Sequence, residues 1–289
     1  MKAAPAGPLD GAAHDRPKGW LACPLTTDRH LAEEQARVIL AEHYPGAPSP
    51  AVCITARYRT AAFALGCPAE QLLKRHADES AYLGEVLAYQ VLAGERVLPS
   101  LRSACDTSRT LIVDYLGSGV SLARPGVFDE LIRTVVAVHT ASARWHPSVG
   151  VVMSPWSLLA MLSAPTPQWL DHSEPWRLML DLLTDAHGPD HVPLGHLDLK
   201  PDHVRRHADG HLALIDAETL RPDLSGLPDL ITLAFIAHEE RYRSPRWVRG
   251  AYLHHVNELG GEWTDRTLVK ALTAFATATG LRSLHGVAA

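Results

Sequence analysis

The sequence predicts an α+β fold on three observations. Between Ser49 and Arg75, short apolar stretches alternate with turn residues at strand length. A second pair of short apolar pieces, at Val204 and Leu212 to Ile215, brackets the turn Ala208-Asp209-Gly210. Most of the remaining chain repeats its apolar residues at helical spacing. With 289 residues and 46% hydrophobic content, the chain can bury a sizeable core as one large domain or two lobes. A net charge of −5 without a long basic run argues against nucleic acid as a partner. Cys23, Cys53, Cys67 and Cys105 lie far apart with no Cys-x-x-Cys pair, the usage of a reducing compartment, so a cytoplasmic location is expected. The N-terminus lacks the apolar core of a signal peptide, and no run of eighteen apolar residues occurs, so no membrane partner is expected.

Taken in order, residues 1–24 read as a tail, because Pro5, Gly7, Pro8, Gly11, Pro17 and Gly19 break every period. A helix is expected from Thr27, capped by Thr27 or Asp28, with Leu31, Gln35, Val38 and Ile39 on its packed face and Tyr44-Pro45-Gly46 at its end. Three antiparallel strands follow, around Val52 and Ile54, Ala61 to Leu65, and Gln71 to Arg75, and then a helix from Glu79 to Leu92. Leu111 to Leu116 is an apolar strand running into Gly117-Ser118-Gly119. Helices are expected over Phe128 to Ala143, Pro155 to Leu162, Glu174 to Ala186, Arg246 to Leu259 and Thr264 to Gly280.

The chemistry gathers in Gly195-His196-Leu197-Asp198-Leu199-Lys200-Pro201-Asp202-His203-Val204 and Leu212-Ala213-Leu214-Ile215-Asp216-Ala217-Glu218. Asp198 and Asp216 frame it, at strand ends facing one cleft. This run resembles the catalytic segment of the protein-kinase-like superfamily, above all the aminoglycoside-phosphotransferase-like kinases, in which His-x-Asp-x-x-x-x-Asn precedes a strand ending in a metal-binding Asp. The resemblance covers roughly residues 50 to 235. It implies a two-lobed fold with a β-rich N-lobe over residues 25–116 and a mainly helical C-lobe over residues 117–289.

Carried over by position, Asp198 is implied to orient an acceptor hydroxyl, Lys200 to sit beside the transferring phosphate, and Asp216 to hold Mg²⁺ or Mn²⁺ against ATP or GTP. His203 replaces the family's Asn, and Ala217-Glu218 its Phe-Gly, so His203 and Glu218 are candidate additional metal ligands. Imidazole suits later metals than Mg²⁺, which prefers oxygen. Lys74 and Glu85 stand where the family keeps a phosphate-contacting lysine and its ion-pair partner. Asp114, Tyr115 and Leu116 stand at the hinge that meets adenine. The loop Ala56-Arg57-Tyr58-Arg59-Thr60 has no glycine, and Arg57 and Arg59 are read as a solvated turn rather than as phosphate donors. Asp229, in Gly226-Leu227-Pro228-Asp229-Leu230, matches the aspartate that braces the catalytic loop.

The implied activity is phosphoryl transfer to a hydroxyl group of a small molecule or of a peptidyl Ser or Thr, in antibiotic modification or natural-product biosynthesis. Asp-Leu-Lys-Pro at 198–201 is how Ser/Thr protein kinases write this loop. Kinase-like proteins of lanthipeptide-type pathways are similar in that mixed character, which leaves open a peptide acceptor and a partner biosynthetic enzyme. An inactive kinase fold that binds a peptide or partner enzyme is the reading from another class. Trp156, Trp169 and Trp176 fall in the helical region that the resemblance implies shapes the acceptor pocket; tryptophans at helical spacing are more often core than pocket, and none of the three is assigned individually. A zinc site is not expected from His203, His207 and His211, which Asp209-Gly210 interrupts, nor from His187, His191 and His196, divided by Gly188-Pro189 and Pro193.

Overall fold

The structure is a computed structural model and describes residues 24–144, 147–170, 172–222 and 224–289. The expected tail lies, up to residue 23, outside the described residues. The chain divides into two compact units. One comprises the chain through Glu79 together with Ser103–Ile112, and the other Ser80–Arg102 and Val113–Ala289.

The first unit opens with α1 (Arg29–His43), whose N-terminal amides on His30 and Leu31 donate to the carboxylate of Asp28. Its buried face is Ala32, Ala36 and Ile39, whereas Leu31 and Val38 are each 45% exposed. This corrects the expected face. The two alanines have little side chain to hold the helix off the neighbouring strand, so the close-packed stripe runs through them rather than through the larger residues. The expected strands are present as β1 (Ala51–Ala56), β2 (Thr60–Leu65) and β3 (Gln71–His76), antiparallel, with Phe63 opposite Leu73 and Ala62 opposite Lys74. With β4 (Leu101–Cys105) and β5 (Thr110–Asp114) they form a sheet of order β1-β2-β3-β5-β4. Ile39, Phe63, Leu65, Leu73 and Ile112 share one core beneath it. Arg57, Tyr58 and Arg59 are exposed at the β1–β2 turn, as a solvated turn requires.

In the second unit, α2 (Glu79–Val91) and α3 (Val127–Thr140) fall where helices are expected. Leu131, Ile132, Val135 and Val136 of α3 are completely buried. The single helix expected over Pro155 to Leu162 is instead α4 (Pro147–Met153), a 3₁₀ turn at Ser154–Trp156 and α5 (Leu158–Ser163). Pro155 lacks the N–H that would continue α4, and the hydroxyl of Ser157 accepts from the amide of Ala160, which starts a new helix. Next come α6 (Ser173–His187), β6 (Val204–Arg206), β7 (Leu212–Leu214) and α7 (Leu227–Glu239), followed by α8 (Pro245–Glu258) and α9 (Asp265–Thr279). Helix α7 was not expected as a helix. Leu227, Leu230, Ile231, Leu233, Ala234, Ile236 and Ala237 bury it on nearly every side, which erases the amphipathic period. Trp176 is core, and it meets the exposed ring of Trp169 edge-on. No helix among the described residues is long and apolar enough to cross a membrane.

The Gly188-Pro189 break does not separate His187 from His191, whose rings stack with centroids 4.4 Å apart. Reversal at Gly188, at φ 90°, returns the chain onto the end of α6. The indole N–H of Trp263 donates to Nε2 of His187 at 2.9 Å, a bond only the neutral tautomer can accept. Burial lowers the His187 pKa from 6.5 to about 4, and it lowers that of His191 well below its ordinary value. Between those pH values the unfolded chain binds a proton that the folded chain excludes. Stability is therefore full above pH ~6.5 and falls as pH drops toward ~4, by about 3 kcal/mol for His187 alone. Urea midpoints measured across this window should show that slope in the wild type and a shallower one in His187→Gln. Equal slopes would remove His187 as the titrating group.

Candidate active site

The β6–β7 hairpin pairs Val204 with Leu214 and Arg206 with Leu212, and Gly210 supplies the left-handed turn residue at φ 96°. Just beyond β7, the amide of Ile215 donates to the carbonyl of His203 at 2.9 Å, which ties the segment before the hairpin to the segment after it. Asp216 follows at once, with left-handed backbone at φ 60°. Asp198 is not at a strand end, contrary to expectation. It lies in irregular chain between the left-handed Leu197, at φ 64°, and a 3₁₀ turn at Pro201–His203, because Pro201 cannot extend a ladder.

What fixes that irregular loop is Asp229 on α7. Its carboxylate, 1% exposed, accepts from the amide of His196 at 2.6 Å and that of Leu197 at 2.8 Å. The brace expected of Asp229 is therefore made. The loop closes on itself through two further bonds: the hydroxyl of Thr219 donates to the carbonyl of His196 at 2.6 Å, and Nε2–H of His196 donates to the carbonyl of Ile215 at 2.9 Å. Gly195 suits this close packing, since a Cβ would fall 2.8 Å from the end of the Leu197 side chain and 3.3 Å from both the Asp229 carboxylate and the Gly226 backbone.

Two residues that sequence reasoning missed stand behind Asp229. Nε2 of His139, on α3, lies 3.1 Å from the carboxylate, and its Nδ1 lies 2.9 Å from the hydroxyl of Tyr252 on α8. A proton on Nε2 satisfies the carboxylate and leaves Nδ1 to accept from the tyrosine. Burial, followed by the charge of Asp229, raises the Tyr252 pKa, so its hydroxyl keeps the proton it donates. Burial alone would raise the Asp229 pKa, but the hydrogen bond from His139, with smaller help from His196 and the amide of Leu197, holds it below the ordinary range. His139 and Tyr252 stand 90 and 23 residues from Asp229, with no motif around them, so nothing local in the sequence marks them.

Asp198, His203 and Asp216 come together. Nδ1 of His203 lies 3.9 Å from an Asp198 oxygen, and its Nε2 lies 3.5 Å from an Asp216 oxygen. The ring therefore stands between the carboxylates, one nitrogen toward each. Burial lowers the His203 pKa, against the opposing pull of Asp216, which favours the neutral imidazole; its Nδ1 is buried without a hydrogen-bond partner among the described residues. The ammonium of Lys200 reaches both Asp198 oxygens, at 2.7 and 2.8 Å. Glu218 sits in the 3₁₀ turn Ala217–Thr219, and a Cβ on Gly84 of α2 would fall 3.1 Å from its carbonyl, so α2 rests against this turn where it has no side chain. Among the described residues, Glu218 is not in a potential metal cluster with Asp216 or His203.

Glu85, on α2, is 2% exposed; in the other unit, Lys74 on β3 is 6% exposed. Both lie in buried surroundings rather than on solvated faces. At the expected hinge, the amide of Asp114 donates to the carbonyl of Ser100 at 3.0 Å and its carboxylate takes Nε of Arg102 at 2.6 Å. Tyr115 and Leu116 follow β5 in irregular, partly exposed chain.

No family model matches the sequence. No curated protein matches it either. Solved structures do. A choline/ethanolamine kinase family protein from Mesorhizobium loti superposes with a TM-score of 0.52 at 15% identity, covering 84% of this chain and 81% of that one. An ethanolamine kinase from Plasmodium vivax gives 0.50 at 11% identity, covering 84% and 85%. Likeness at this level of identity establishes the fold, which is the protein-kinase-like fold that the motifs imply.

Proposed function

We propose that this chain, having the protein-kinase-like fold, is a phosphotransferase that moves the γ-phosphoryl group of ATP or GTP to an alcohol. The observation that carries the proposal is the grouping of Asp198, His203 and Asp216 on a loop held by the buried Asp229. In the reaction the acceptor oxygen forms a bond to the γ-phosphorus, the bond from that phosphorus to the nucleoside diphosphate breaks, and the acceptor proton passes to a base. Asp198 is that base, at 36% side-chain exposure open to an acceptor. Lys200, already on both Asp198 oxygens, turns to the transferring group as charge develops on it. By the resemblance, Lys74 is assigned to the nucleotide phosphates and Glu85 to the position of the family's ion-pair residue. The Asp114 amide is already bonded to Ser100, so adenine is assigned to the backbone that follows it, at Tyr115 and Leu116.

The donor set fits a divalent cation. Asp216 offers oxygen and the neutral His203 offers Nε2 3.5 Å away, near the ~3.0 Å separation of adjacent donors around an ion with ~2.1 Å bonds. Bound there, Mn²⁺ or Mg²⁺ supplies positive charge to the phosphates. Glu218 adds an oxygen if its side chain turns toward Asp216. A mixed nitrogen and oxygen pair suits Mn²⁺ better than Mg²⁺.

For the acceptor, a small alcohol is favoured, and the names of the superposing proteins make choline and ethanolamine the first to test. Lys200 keeps a peptidyl Ser or Thr in a biosynthetic pathway, with a partner enzyme, as the second. The Asp198–Lys200 ion pair and the glycine-free loop are what favour an inactive, peptide-binding fold. Turnover of ATP and GTP with each metal over a panel of aminoalcohols, antibiotics and Ser/Thr peptides separates these readings. His203→Asn is expected to keep activity in Mg²⁺ and lower the Mn²⁺/Mg²⁺ activity ratio. An unchanged ratio refutes His203 as a ligand, and calorimetry showing no nucleotide binding with either metal refutes the kinase.

A further inference from the structure

We infer a second metal site, for zinc or a similar later transition ion, on the last turn of α8, formed by His254, His255 and Glu258. One ligand atom from each lies within 4.8 Å of the others. Nδ1 of His255 is 3.4 Å from Oε2 of Glu258, and Nε2 of His254 is 3.3 Å from Oε1. Donors ~2.1 Å from a tetrahedral ion stand about 3.4 Å apart, so each histidine nitrogen lies at about that separation from a Glu258 oxygen.

His255 distinguishes this cluster from an ordinary surface ion pair. It is 4% exposed, and each ring nitrogen faces a carboxylate: Nε2 lies 3.2 Å from Oδ1 of Asp129 on α3, and Nδ1 faces Glu258. A neutral imidazole carries one N–H. With that proton donated to Asp129, the Nδ1 lone pair points at an anionic oxygen, and two acceptors face each other unless a cation lies between them. A histidine that gives one N–H to a carboxylate and its other nitrogen to a metal is the arrangement that orients zinc ligands and raises their basicity. Asp129 is held in turn by Arg133, one helical turn along, at 3.2 Å. His254 supplies the third donor, which a second proton on His255 would leave without a role. Its side chain and that of Glu258 are 66% and 57% exposed, so the ion can enter from solvent and keep water in its fourth position. All three ligands stand on α8, and the His255–Asp129 hydrogen bond is what joins the site to α3. This site is independent of the proposed activity.

The test is titration of the full chain with Zn²⁺ by calorimetry and with Co²⁺ by visible absorption, on the wild type, His254→Ala, Glu258→Gln, Asp129→Asn and Asp216→Asn. Asp216→Asn separates this site from the active-site cation. Wild type and Asp216→Asn are expected to share one Zn²⁺ equivalent and the intense bands of four-coordinate Co²⁺. His254→Ala and Glu258→Gln, both at exposed positions, should lose that equivalent and those bands while keeping the metal-free melting temperature. Asp129→Asn should weaken binding by about 10- to 100-fold. Equal binding in wild type and His254→Ala, or no intense Co²⁺ band in the wild type, would overturn the site and leave a proton as the only cation on His255.

Discussion

Asp198→Asn is expected to lower turnover by about 10² to 10⁴ while leaving nucleotide binding unchanged, because a base acts on the acceptor proton in the transition state and makes no ground-state nucleotide contact. The amide preserves the shape of the side chain but does not take up the proton and offers the Lys200 ammonium one neutral acceptor in place of a carboxylate. Steady-state kinetics should therefore show a fallen kcat with little change in the nucleotide KM. Wild-type turnover in the variant would take Asp198 out of the mechanism.

Asp229→Ala should be the most damaging substitution to the fold of this region. It leaves two backbone N–H groups and the His139 ring buried with no acceptor, each costing about 1–3 kcal/mol. A loss of several kcal/mol, on the order of the sum of those unsatisfied donors, is expected in urea unfolding, with activity lost alongside. Asp229→Asn keeps one acceptor oxygen and should fall between. A cost below about 1 kcal/mol for the alanine variant would mean the loop does not depend on this brace.

Much of this arrangement was legible in the sequence because its signals are local. The strands β1 to β3 show alternation and turn residues, and the hairpin before Asp216 shows Asp209-Gly210 between short apolar runs. Helix α7 was illegible for the opposite reason: an element buried all round has no period to read. The packed face of α1 was misread because alanines carry little hydrophobic signal yet allow the closest approach. Asp229 was found through a motif. His139 and Tyr252, which satisfy it, come from other helices and were beyond reach, as were the roles of His254 and His255, since the need for a cation appears only once Asp129 is seen against His255.

Leu197 and Asp216 both hold left-handed backbone, at φ 64° and 60°. Such conformations cost non-glycine residues about 1–3 kcal/mol each, and glycine adopts them freely. Part of the free energy of folding is thus spent on holding the loop around Asp198 in place. On the proposed mechanism, stability and activity pull in opposite directions at these two positions. Selection of variants on heat resistance alone would drift toward glycine there, relieving the backbone while deleting the Asp216 carboxylate, so improvement of this protein has to be screened on turnover and melting temperature together.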